Sequence, residues 1–127
     1  MSAEIIDFKS RQVIKKAEPD FVRFESFFIQ ALVDWIIKND QTPFLHVKEN
    51  YKDVVIPSGY ADESGMVKLK VSPSAVMDFS INEDSISFSA SFANEPFQVS
   101  FPPLAVAAVS DGGGKIIVAV NTRLYNG

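Results

Sequence analysis

Cysteine is absent from the 127-residue chain. That excludes a disulfide scaffold, a thiolate zinc site and a cysteine nucleophile. Histidine occurs once, as His46, so a multi-histidine metal site is excluded too, and no metal or cofactor is expected. Long apolar runs are also missing: no stretch reaches the roughly 18 residues a membrane helix needs. Positive charge is scarce, with 12 Lys and Arg against 16 Asp and Glu and a formal net charge of -4 at pH 7. An acidic chain lacks the field that holds a phosphate backbone, so nucleic acid is not an expected partner. The N-terminus carries Glu4 and Asp7 without an apolar core, so it does not read as a secretory signal. The expected location is the cytoplasm.

What is present is ordinary for a globular domain: 46% hydrophobic and 22% charged residues. The length suits one domain with a core that needs no staples. Residues 1–18 interleave charges with isolated apolar residues and read as a flexible N-terminal arm. Residues 19–127 read as a single domain.

Pro19 and Asp20 open the clearest helix pattern, expected from about Glu18 to Asn39. Asn39, Asp40 and Pro43 end it. Phe21, Phe24, Phe28, Ala31, Leu32, Trp35 and Ile36 recur at spacings of three and four, on one face. Val22, Phe27, Ile29, Val33 and Ile37 form a second apolar set, which leaves only a narrow polar stripe. A helix apolar over most of its circumference needs a partner on both sides. The pattern therefore predicts a helix between its own sheet and a second subunit, with Phe24, Phe28, Leu32 and Trp35 at the dimer interface.

After Pro43 the period switches to two. Strands are expected at Phe44–Val47, Val54–Ile56, Met66–Val71, Met77–Ile81, Ser85–Phe92, Pro96–Phe101 and Lys115–Val120. Leu104–Val109, rich in alanine, reads as a short helix. The fold class is mainly β with one long N-terminal helix (α+β), a small, strongly bent antiparallel sheet or partly open barrel with the helix packed on it.

Catalytic signals are weak. His46 sits between Leu45 and Val47 in a strand pattern, where a lone histidine is most often a surface or packing residue. The acid pairs Asp62/Glu63 and Glu83/Asp84 fall at turns, and turn chemistry explains them. Gly112-Gly113-Gly114-Lys115 lacks the following Ser/Thr and the helix that a phosphate loop requires. No catalytic residue is assigned, and the chain is not expected to be an enzyme. In Ser85–Phe92 the serines alternate with Ile86, Phe88, Ala90 and Phe92, which places a face of small hydroxyls opposite an apolar face.

Several ordered segments resemble the stringent starvation protein B family, the adaptors that deliver ssrA-tagged proteins to the ClpXP protease. They are Asp34-Trp35-Ile36-Ile37-Lys38-Asn39 with Thr42-Pro43, Val54-Val55-Ile56-Pro57 with Tyr60, Met66–Val76, the Asn82–Phe92 hairpin, and Gln98-Val99-Ser100-Phe101-Pro102. The resemblance covers about residues 28–120. It implies an Sm-like fold, a homodimer formed through the helix, and a bacterial cytoplasmic protein. It also implies a groove on each subunit for ssrA-tagged polypeptides, at Ala75, Ser89, Ala90, Ser91, Phe92, Phe97 and Gln98. A groove lined by small residues can take an extended chain by main-chain hydrogen bonding. Where the family has an arginine in the hairpin this chain has Ser91, and where it has a basic residue before Gln-Val-Ser this chain has Phe97. Attraction to an acidic tag is therefore expected to be weaker. The family's long acidic tail, which docks on ClpX, is not seen before Gly127, and without such a tail tethered delivery is expected to fail. The alternative is a peptide- or RNA-interaction protein that keeps the fold without protease delivery.

Overall fold

The helix α1 spans Glu25–Lys38. Glu25 in its first turn and Lys38 in its last both suit the helix dipole. It ends where the Asn39 side-chain amide donates to the Trp35 carbonyl at 2.9 Å and Asp40 turns into the left-handed region at φ 57°. This computed structural model describes residues 23–126. The arm read over 1–18, and Phe21 and Val22 of the expected helix, lie outside the described residues.

Seven strands follow: β1 Phe44–Lys48, β2 Met66–Lys70, β3 Val76–Ile81, β4 Ile86–Phe92, β5 Glu95–Phe101, β6 Val106–Ser110 and β7 Ile117–Ala119. They form two antiparallel sheets, ordered β2-β1-β6-β7 and β3-β4-β5. The single bent sheet or partly open barrel expected from the strand spacing is thus corrected to two sheets that do not close. Pro102 and Pro103 explain the break. Proline has no amide to give a ladder, so the chain leaves β5, makes a short 3-10 turn at Pro103–Ala105, and enters the other sheet as β6.

Leu104–Val109 is not a helix. Val106–Ser110 is the strand between β1 and β7, and all its residues are buried. A strand covered on both faces loses its alternation, so periodicity cannot separate it from a buried helix. Its outer face is covered by the 3-10 segment Thr122–Asn126, whose Leu124 packs with Met66 and Ala107. The expected strand at Val54–Ile56 shrinks to one bridge, with Val55 and Ser100 exchanging hydrogen bonds of 2.7 and 3.0 Å. Asp53 at φ 64° turns the chain just before it and Pro57 stops it just after.

The core lies between the sheets and α1. Ile29, Val33 and Ile36 of the helix pack with Leu45, Val47, Val67, Leu69, Ile86, Phe88, Val99, Phe101 and Val109. The residues grouped on one helix face by spacing divide between core and surface. The inner stripe is Ser26, Ile29, Val33 and Ile36, whereas Phe24, Phe27 and Trp35 are 59%, 65% and 49% exposed.

Two tight turns shape the second sheet. Asn82 accepts hydrogen bonds from the amides of Asp84 and Ser85, at 2.9 and 3.0 Å, and closes the β3–β4 turn. Ala93 and Asn94, at φ 54° and 68°, make the two-residue β4–β5 turn. Positive φ at both central positions matches the right-handed twist of a hairpin.

A groove beside the serine hairpin

The hairpin alternates as its sequence predicts. Ile86 and Phe88 are buried, Ser87 and Ser89 half-buried, and Ser91 exposed. Register places Ser89 across from Gln98, Ser91 across from Pro96, and Ala90 between Val76 and Phe97. Among the described residues, the third strand, β3, is an edge that pairs with β4 alone. Its ladder is interrupted between Met77 and Ser80, where Asp78 adopts φ 56°. A bulge of this kind bends an edge and leaves part of its backbone unpaired.

A groove of about 310 Å³ runs along this end of the sheet. It is lined by Pro73, Ser74 and Ala75 of the segment entering β3, Val76 and Met77 of β3, Ser89, Ala90 and Ser91 of β4, and Pro96 of β5. Ala75 is set by a turn in which its amide and that of Val76 both donate to the Ser72 carbonyl. Met77 is 69% exposed.

Of the residues named from the sequence, Ala75, Ser89, Ala90 and Ser91 line this groove. Gln98 stands behind it: the Ser89 hydroxyl donates to Gln98 Oε1 at 2.9 Å. Phe92 and Phe97 lie on the apolar side of the sheet, edge-to-face with centroids 6.1 Å apart, and Phe92 meets Tyr60 at 5.4 Å. Val76, Met77, Pro73 and Pro96 were not identified from the sequence.

Other chemistry-bearing residues serve structure. Asp111 Oδ1 accepts from the amides of Gly113 and Gly114, at 3.1 and 3.0 Å. Those amides are therefore not free for a phosphate. Gly112, at φ 78°, lies against the Phe44 ring so closely that a Cβ there would strike it. Among the described residues, no group of three or more side chains gathers that could hold a metal. No described helix is long and apolar enough to cross a membrane.

His46 is half-buried, with Nε2 2.8 Å from Ser110 Oγ. Ser110 is only 4% exposed, so its hydroxyl is not presented to a substrate. Burial lowers the His46 pKa from its ordinary 6.5, the Lys68 ammonium lowers it further, and Asp62 acts in the opposite direction. The unfolded chain thus protonates before the folded one. This contribution to stability is full above pH 6.5 and is lost as the pH falls toward the lower folded value. His46→Gln is expected to flatten that part of a Tm-against-pH curve; an unchanged slope would assign it to other groups.

The sequence profile of the family described as SspB, stringent starvation protein B, matches residues 24–115. A stringent starvation protein B homolog from Haemophilus influenzae is 31% identical over 91 residues, covering 69% of this chain and 60% of that protein. The chain thus matches under two-thirds of that relative's length.

Proposed function

Because the chain belongs to the stringent starvation protein B family, we propose that it is a non-enzymatic adaptor of the bacterial cytoplasm. It takes an extended ssrA-type degradation tag into the groove beside β3 and β4 and delivers the tagged polypeptide to the ClpXP protease. The observation that carries this reading is the groove itself. It is a concavity of about 310 Å³ at a sheet edge, walled by Ala75, Ala90 and serines small enough to admit a main chain. Ser89, Ser91 and Gln98 supply neutral hydrogen-bonding groups, and Val76 and Met77 supply apolar contact for side chains. Delivery is tested by adding the protein to ClpXP degrading a tagged reporter. Degradation at lower reporter concentration supports the adaptor reading. No change leaves peptide capture standing and removes delivery.

The adaptor acts as a homodimer in this reading. Phe24, Phe28 and Trp35 turn away from the core, with the Phe24 and Phe28 rings 5.9 Å apart, and Leu32 borders them half-buried. Such a patch on a single helix face is costly to leave in water. Sedimentation is expected to give a dimer. Trp35→Asp, at a half-exposed site, is expected to weaken dimerisation by roughly 30-fold or more without unfolding the domain. A monomeric parent, or a fully dimeric variant, would contradict this.

A further inference from the structure

Sulfur is scarce in this chain, which has three methionines and no cysteine. Met1 lies outside the described residues. Met66 is buried and packs with Ala107 and Leu124. Met77, in contrast, is mostly exposed and lines the groove. Its place in β3 explains this. Among the described residues no strand pairs with the open side of β3. Register sets Met77 across from Ser89, so its side chain shares the sheet face that carries the small hydroxyls. The bulge begins directly after it, where Asp78 adopts φ 56°. Met77 is therefore the bulkiest side chain of a lining otherwise made of proline, serine, alanine and valine. Among the described residues its thioether is the sulfur that solvent reaches.

We infer that Met77 is an oxidation-sensitive control point of the groove: hydrogen peroxide converts its thioether to the sulfoxide, and the groove then holds a tag less tightly. This rests on the groove being the tag site. In the step, a sulfur lone pair attacks one oxygen of the peroxide. An S–O bond forms and the O–O bond breaks. The proton on the attacked oxygen passes to the departing hydroxide, and water leaves. Sulfur is oxidised by two electrons and the peroxide is reduced by two. The flexible apolar side chain becomes a polar one that carries a hydrogen-bond-accepting oxygen. A tag side chain packed on Met77 covers that oxygen without offering it a donor, and covering an unpaired polar group is unfavourable. Met77 stands at a sheet edge outside the core cluster, so its oxidation alters the groove and leaves the fold in place. Contact at an exposed site is partial, so the oxidised protein should bind the tag roughly three- to tenfold more weakly. Sulfoxide reductases return the side chain to methionine, which makes the loss reversible.

The test incubates the folded protein with hydrogen peroxide and locates the added oxygen by mass spectrometry. Met77 is expected to oxidise well before Met66. Binding of a labelled ssrA-tag peptide is then read by fluorescence anisotropy. The oxidised parent is expected to bind roughly three- to tenfold more weakly, and to recover after treatment with methionine sulfoxide reductases. Met77→Leu has no sulfur at this position, so its own affinity is expected to be the same before and after peroxide. Met77→Gln, which puts a polar group at the same point, is expected to bind weakly without any peroxide. Three results would overturn the assignment while the groove stands: Met77 oxidising no faster than Met66, tag binding unchanged once Met77 is oxidised, or peroxide weakening Met77→Leu as much as the parent. If the untreated parent does not bind the tag, the groove assignment fails and the control point with it.

Discussion

Ala90→Gln is expected to weaken tag-peptide binding by at least about tenfold, a loss of roughly 1.4 kcal/mol in binding free energy. Ala90 lines the groove and sits in register between Val76 and Phe97. A glutamine there extends into the space a main chain would occupy. Ala90 is only half-buried, so the added atoms have an open side. Stability should fall by no more than the about 1–3 kcal/mol typical of overfilling a packed site. Ala75→Val tests the same lining at the turn that enters β3, with less burden on the core. The pair of variants separates blocking from misfolding: peptide affinity should drop in both while thermal melting shows a folded domain. If both bind a tag peptide as the parent does, the ligand lies elsewhere on the surface.

Phe88→Ala should have the largest effect on the fold. Phe88 is 1% exposed and joins the three strands of the second sheet on their core face through two rings. Phe79 stacks on it at 5.9 Å and Phe101 meets it edge-on at 6.3 Å. Truncating a buried phenylalanine costs about 3–5 kcal/mol, part of it from the cavity left behind. Domains of this size carry only about 5–15 kcal/mol of net stability. A fall in Tm of roughly 10–25 °C is expected. Ser87→Ala, one residue away on the other face, should change stability by no more than about 0.5 kcal/mol. Equal losses in the two variants would mean that the inward and outward faces of β4 are misassigned. The groove is built on this strand, so its geometry depends on that assignment.

The sequence disclosed some of this architecture and concealed the rest for physical reasons. The helix, the serine alternation of β4 and the turn at Glu83 and Asp84 are local signals. Each depends on a few adjacent residues, and each appears in the structure. The strand β6 was concealed because burial on both faces removes alternation and because Ala107 and Ala108 suit either a helix or a buried strand. Val54–Ile56 looked like a strand because its residues favour extended backbone. Whether such a segment finds a ladder depends on its neighbours, and Asp53 and Pro57 leave it room for one bridge only. The helix spacing groups Ile36 with Phe24 and Trp35, and the fold separates them. Ile36 turned inward with Ile29 and Val33, while Phe24 and Trp35 turned out. Several turns of apolar residues do not say which arc meets the sheet.

The candidate site was legible to a similar degree. Ala75, Ser89, Ala90 and Ser91 come from separate segments that only tertiary packing joins, and the family resemblance brought them together. Phe92 and Phe97 follow the period-two rule to the apolar side. Met77 stands at the start of the β3 bulge, which the sequence marks only by Asp78, a residue type that tolerates positive φ.

Titration of a labelled ssrA-tag peptide into the purified protein, read by fluorescence anisotropy with a scrambled peptide as control, tests the central claim most directly. The account predicts saturable binding at micromolar concentration or tighter, selective over the scrambled control and lost in Ala90→Gln. Equal binding of the tag and scrambled peptides, or tag binding unaffected by Ala90→Gln, would contradict it.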